Sequence, residues 1–371
     1  MQRLQLLAII WLLFFQINAS NSDIELIRSR FTDAALSVNR PVNIGYVRDR
    51  MNSLKDNGTW PDINYEDCRN IAFQHVQHLS HMVEMARAYR IETSELYQNE
   101  VLKEKLLCAI DFWTDNDFIC ENWWNNEIGT PTQMLNLLYI MDEALGSERA
   151  ERMLKIALRA NMKATGARPS GDRMKIASLY TKSMLWSRNE KEVVEMIDFM
   201  GNEMRYYDDE TFDRIARENP QYFAGGRGLQ ADLSFHHRND RVNNTLTYGE
   251  GHAIAFCEWA SNIYDTRYRF NEEAIRLMVD YYLDGMCKQM VYGIQSDPGV
   301  MNRDMARTST GKQLANNSIA EALLRVTDYR KDELQNIIDL RHGEKAENVI
   351  KNCLCTPLKK NATVLEINCE P

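Results

Sequence analysis

Two adjacent histidines, His236 and His237, precede Tyr248 in the tripeptide Thr247-Tyr248-Gly249. Further along, Arg303 and Arg307 stand four residues apart in Asn302-Arg303-Asp304-Met305-Ala306-Arg307. Tyrosine and histidine can move a proton, and guanidinium groups hold carboxylates in bidentate fashion. Upstream, Asn122-Trp123-Trp124 leads into Glu127-Ile128-Gly129-Thr130-Pro131. Sugar rings present flat C–H faces that stack on indole. Two neighbouring tryptophans cannot both face one helical core, so at least one is expected beside a groove or a loop. These residue types together point to an enzyme acting on an acidic polysaccharide.

The elements that must carry these residues read as helices. Apolar residues step by three and four through Ala72, Val76, Leu79, Val83 and Ala86, and through Leu102, Leu106, Ala109 and Trp113. Further stripes run through Met134, Leu138, Met141 and Leu145, through Val193, Ile197, Met200 and Met204, and through Ile275, Met278, Val279, Tyr282 and Met286. Such spacing marks amphipathic helices with one buried face. Roughly ten segments of this kind occur, and no convincing alternating strand. That count predicts an all-α chain and suits a helical toroid or solenoid better than a four-helix bundle. Thr130-Pro131 reads as an N-cap followed by proline at the first helical position. Gly225-Gly226-Arg227-Gly228 reads as a turn before the histidines, since no strand-to-helix context makes it a phosphate cradle. If Arg303 and Arg307 lie on a helix they share one face. There they could clamp an anion or form a surface pair with Asp304.

The chain has 371 residues and a formal charge of −9, which argues against nucleic acid as the main partner. An acidic protein can still form a local basic cleft for an anionic sugar. Arg3 followed by the apolar run Leu4–Phe15, with Ala19-Ser20 after it, reads as a cleaved signal peptide over residues 1–19. No later run is apolar enough to span a bilayer, so a secreted chain free of the membrane after cleavage is expected. The 8 cysteines are Cys68, Cys108, Cys120, Cys257, Cys287, Cys353, Cys355 and Cys369, and their spacing matches no zinc pattern. Disulfides and buried thiols both fit that count. Glycosylation sequons stand at Asn57, Asn243, Asn316 and Asn361. His75, His78 and His81 lack the i, i+4 geometry of a helical zinc site and read as a partly exposed polar stripe. The expected layout is a toroid domain over residues 20–345 and a cysteine-containing tail over 346–371.

The motifs resemble the catalytic α-domain of polysaccharide lyase family 8, the hyaluronate, chondroitin AC and xanthan lyases. The matching pieces are Asn122-Trp123-Trp124 with Glu127-Ile128-Gly129-Thr130-Pro131, then Thr165-Gly166-Ala167. They continue with Gln230-Ala231-Asp232-Leu233-Ser234-Phe235-His236, Thr247-Tyr248-Gly249, and the Arg303/Arg307 pair. The resemblance implies an incomplete (α/α) toroid with a long cleft, and β-elimination at a uronic acid in a monomer needing neither metal nor cofactor. It implies Tyr248 as base and then acid, His237 or His236 assisting at the carboxylate, and Arg303 and Arg307 holding sugar and phenol oxygen. A free tyrosine titrates near ~10, so neighbouring cations would have to favour its phenolate. One guanidinium about 4 Å from the developing charge contributes on the order of 4 kcal/mol at an effective dielectric near 20. That is roughly a thousandfold in rate if realised only in the transition state. Asn122, Trp123 and Trp124 would line the sugar subsites.

The chain departs from the family pattern in three places. The family follows Thr-Gly-Ala with an asparagine that contacts the substrate carboxylate. Here Arg168-Pro169-Ser170-Gly171-Asp172-Arg173 follows, so either Arg168 or Arg173 substitutes or the contact is lost. The His-to-Tyr spacing is longer than usual, which favours His237 but leaves His236 and Arg238 open. The family's large β-sandwich domains are also expected to be missing. Two rival readings remain. A glycoside hydrolase would use opposed carboxylates such as Glu127 and Asp232, and a binding relic would keep the tryptophans and dispense with Tyr248.

Overall fold

The computed structural model describes residues 22–168, 171–207, 227–238, 242–291, 293–301 and 315–341. The expected signal peptide, the tail, Gly225, Gly226, Arg303 and Arg307 lie outside these residues. The chain divides into two compact units. One comprises residues 1–167 and 176–196, the other residues 168–175 and 197–371.

The described residues are predominantly helical, as expected. The first unit contains α1 (residues 22–36), α2 (Ile44–Ser53), α3 (His75–Arg90), α4 (Glu100–Asn116), α5 (Thr130–Met141) and α6 (Ser147–Ala157). Helix α3 packs against α2, α4 and α5, and α5 packs in turn on α6. The α4 stripe falls as the spacing predicts, with Leu102, Leu106, Ala109 and Trp113 fully buried. Asn99 caps this helix by accepting the Leu102 N–H at 2.9 Å. Buried Arg87 donates to the carbonyls of Leu36, Ser37 and Arg40 and pairs with Glu84, tying the α1–α2 loop to α3.

On α3 the expected Leu79, Val83 and Ala86 are buried, but the buried face is wider and shifted at its start. Val76 is 42% exposed, while His75, His78, His81, Met82 and Met85 are buried. The histidines are therefore core residues rather than a partly exposed stripe, because each finds a hydrogen-bond partner inside. His78 Nε2 donates to the Ala109 carbonyl at 3.0 Å, and its Nδ1 meets the Tyr65 hydroxyl at 2.9 Å. His75 Nε2 meets the Tyr65 carbonyl at 3.0 Å, and His81 Nδ1 meets the Tyr46 hydroxyl at 2.5 Å. His78, bonded at both ring nitrogens, is thereby buried at little cost.

Helices α7 (Gly171–Trp186) and α8 (Glu190–Glu203) follow, each with residues in both units. The second unit adds α9 (Glu250–Ile263), α10 (Glu272–Asp280), α11 (Ser318–Val326) and α12 (Lys331–Arg341). Here α9 packs on α11, and α11 on α12. Arg330 joins Asp280, Asp284 and Glu333 in one ionic network. Two short antiparallel pairs interrupt the helices, although no strand was expected. Gly228–Leu229 (β1) pairs with Phe235–His236 (β2), and Met290–Val291 (β3) with Gln295–Ser296 (β4). With two residues per strand, these pairs are too short to leave a periodic signature.

Candidate functional site

The residues singled out in the sequence fall into two groups, one in each unit. In the first, the chain turns through a π-helical segment, Asn125–Gly129, directly into α5. Thr130 is therefore already helical and does not cap α5. Its buried Oγ1 has no hydrogen-bond partner among the described residues. Asn122 builds the approach to this turn. Its Oδ1 accepts the Trp124 N–H at 3.1 Å and its Nδ2 donates to Asn70 at 2.9 Å.

The two tryptophans take different environments, as their adjacency predicts. Trp124 is 42% exposed, and Trp123 is half-buried. The Trp123 ring covers Gly166, where a Cβ would lie only 2.4 Å from an indole carbon. Glu127 fixes the same loop. Its two carboxylate oxygens accept the backbone N–H groups of Thr165 at 3.0 Å and Gly166 at 2.9 Å. The Trp-Trp motif and the Thr-Gly-Ala motif are thus one assembly, held by a charge-assisted pair of hydrogen bonds.

In the second unit, β2 leads from Phe235 through His236 to His237, and Tyr248 sits in a second π-helical turn, Thr245–Gly249, at the head of α9. The His237 and Tyr248 rings stack face to face, with centroids 3.4 Å apart and planes within 2°. His237 is buried and Tyr248 half-buried. His236 turns elsewhere, its Nε2 meeting Ser234 Oγ at 3.2 Å. Arg238 is exposed.

Asn244, a residue the motifs did not single out, holds this pair together. It is buried, and its N–H donates to the Phe235 carbonyl at 2.7 Å. Its Oδ1 accepts the His237 N–H at 3.3 Å, and its carbonyl accepts the N–H groups of Thr247 and Gly249 at 3.2 and 3.1 Å. One residue thereby ties the histidine strand to the tyrosine turn. The preceding Asn243 accepts from the Thr245 N–H and hydroxyl and donates to Gln289. The signal in the sequence was the Asn243-Asn244-Thr245 run just before a helix start, since such side chains satisfy open backbone donors.

Glycines bring the backbone close around Tyr248. A Cβ on Gly171, the first residue of α7, would lie 2.0 Å from the Tyr248 carbonyl oxygen. Behind the turn, Phe235, Tyr281 and His252 form a buried floor. Neither ring nitrogen of His252 has a hydrogen-bond partner among the described residues. Burial lowers its pKa to about 4, which keeps the ring neutral.

The expected cations fare unequally. Arg173 lies 3.3 Å from Glu203 and over the Phe199 ring at 5.0 Å. Burial raises the Glu203 pKa against the opposing pull of Arg173 and Arg205. Arg168 is half-buried. The carboxylates that a hydrolase would need are both committed, Glu127 to backbone as above and Asp232 to the Ser234 N–H and hydroxyl at 3.0 and 2.7 Å. Those Ser234 hydrogen bonds hold the Asp232 carboxyl below its usual range. Among the described residues, no three metal-ligating side chains come together.

Residues 42–186 match the model of polysaccharide lyase family 8, N terminal alpha-helical domain. Over that stretch the chain is similar to the helical domain of polysaccharide lyase family 8. Among its relatives, Chondroitinase-AC of Pedobacter heparinus is 25% identical over 335 residues, covering 88% of this chain and 42% of the relative. A solved chondroitinase AC lyase, studied in enzyme–oligosaccharide complexes, shares its fold with a TM-score of 0.74 at 21% identity, over 86% of this chain and 44% of that one. Paenibacillus xanthan lyase follows with a TM-score of 0.60 at 15% identity, over 90% and 34%. The chain thus spans less than half the length of these relatives.

Proposed function

We propose that this chain acts as a polysaccharide lyase, cleaving a uronic-acid-containing polysaccharide of the hyaluronan, chondroitin or xanthan kind by β-elimination. The observation that carries the reading is the His237–Tyr248 stack on a half-buried turn. Tyr248, as phenolate, takes the proton from C5 of the uronate. The electron pair left at C5 forms the C4–C5 double bond as the C4–O bond breaks, and the phenol returns its proton to the departing oxygen. The C5 proton is weakly acidic, so charge building on the adjacent carboxylate has to be neutralised. His237 serves there, and His236, turned toward Ser234, supports the strand. Arg303 and Arg307 are proposed to hold the sugar and the phenol oxygen. Asn122, Trp123 and Trp124 form the sugar-stacking surface.

The names of the relatives support the substrate class, since chondroitin AC lyases and a xanthan lyase share the fold. Among the described residues, no helix is long and apolar enough to cross a membrane. We propose export through the signal peptide over residues 1–19 and a monomeric protein. The reading is tested by incubating the protein with hyaluronan, chondroitin sulfates, xanthan and alginate and following ultraviolet absorbance. A lyase leaves an unsaturated uronate that absorbs. New reducing ends without absorbance would indicate hydrolysis, and polymer binding without cleavage would indicate a binding protein.

A further inference from the structure

We propose that Lys175 is a substrate contact of the Tyr248 site, its ammonium taking an anionic oxygen, carboxylate or sulfate ester, of the acidic sugar bound there. The substrate class rests on the lyase reading above. The placement rests on two close approaches between α7 and the Tyr248 turn.

Gly171 and Lys175 stand four residues apart on α7 and so share a face. Gly171 abuts the Tyr248 carbonyl. The Lys175 tip lies on Gly251, where a Cβ would be 2.5 Å from its Cε and 2.6 Å from its Nζ. Gly251 follows Tyr248 by three residues, which puts both on one side of the same helical stretch. The ammonium is therefore delivered beside the tyrosine.

A solvated lysine on a helix is ordinary, but two features set this one apart. A glycine within a helix gives up stability relative to alanine, and at position 251 it leaves the space the lysine tip occupies. The ammonium, with its side chain 34% exposed, is also under-used. Its one ionic contact among the described residues is Asp172 Oδ1 at 3.9 Å, beyond hydrogen-bond reach. Lysine carries three rotatable donors and no acceptor, so an anion is the natural complement. Arg173, two residues earlier, has its guanidinium against Glu203 and Phe199 and is much less exposed.

The test compares wild type, Lys175→Met and Lys175→Arg on unsulfated hyaluronan and on chondroitin 4-sulfate. Loss of a charge-assisted contact raises KM by about tenfold or more in the methionine variant. The arginine variant recovers most of this, and melting temperature is unchanged. A loss on both polymers identifies the carboxylate, and a loss on the sulfated polymer alone identifies the sulfate. Unchanged KM on both, or a fall in kcat alone, overturns the proposal. If wild type makes no unsaturated product from any polymer, the lyase reading fails by itself. Calorimetric titration of the same proteins with the same polymers then decides Lys175. Weaker binding by the methionine variant supports the contact, and equal or absent binding overturns it.

Discussion

Among the described residues, both units hold tyrosine and histidine together, with opposite consequences. In the first unit, half-buried Tyr65 and Tyr46 hydrogen-bond to buried His78 and His81, beside Trp60, Trp113 and Phe112. Burial pushes the Tyr65 phenol up to about 12 and draws His78 down to about 3. Neither can exchange a proton near neutrality. In the second unit, His237 and Tyr248 meet face to face on a half-buried turn. The same residue types make a core in one place and a candidate proton-transfer pair in the other. The direction of contact separates them, hydrogen-bonded ring edges in one and stacked ring faces in the other.

That contrast can be broken or sharpened experimentally. The largest effect is expected from acid. His75, His78, His81 and His252 all have pKa values lowered by burial. A histidine whose folded pKa lies below its unfolded value near ~6.5 stabilises the fold above that pH and loses the contribution as pH falls toward the folded value. His78, His81 and His252 each contribute on the order of 1.4 kcal/mol per pH unit across that window, so together they threaten the whole fold. Melting temperature should drop steeply between pH 6.5 and about 4. A flat profile would mean the histidines are not buried as neutral rings.

Next is Gly171→Ala. The added methyl meets the Tyr248 backbone, so overpacking should cost about 1–3 kcal/mol. Activity should fall further, by about a hundredfold, because the proposed base is displaced. Third, Asn244→Ala should cost about 1–3 kcal/mol, by stranding the buried His237 N–H, and should lower turnover more than affinity. Equal turnover would show that the strand–turn link does not position the pair. Smallest is Trp123→Ala, which should weaken polymer affinity by about tenfold, as removal of one stacking face does, with a lesser effect on turnover. Unchanged affinity would assign that ring to packing on Gly166.

The sequence made the helices legible wherever the buried face was purely apolar, as on α4. On α3 it found Leu79, Val83 and Ala86 but missed that His75, His78 and His81 extend the buried face, because their partners Tyr46, Tyr65 and two backbone carbonyls are not revealed by spacing alone. The start of α5 was misread for a local reason, since a π-helical turn runs into Thr130 where a cap would have begun. The Tyr248 motif and the favoured His237 were visible, but the Asn244 link that aligns them depends on a hairpin of two-residue strands. Arg173 looked available because its partner Glu203 lies on another helix. Lys175 escaped notice because two glycines far apart in sequence bring it to the tyrosine.

The account stands on the Tyr248 phenol as the proton carrier. The direct measurement is ultraviolet product formation from hyaluronan and chondroitin sulfate by Tyr248→Phe beside wild type, with polymer binding measured on the same samples. The account predicts absorbance from wild type, none from the variant, and binding that is largely retained. Full absorbance from the phenylalanine variant would contradict it.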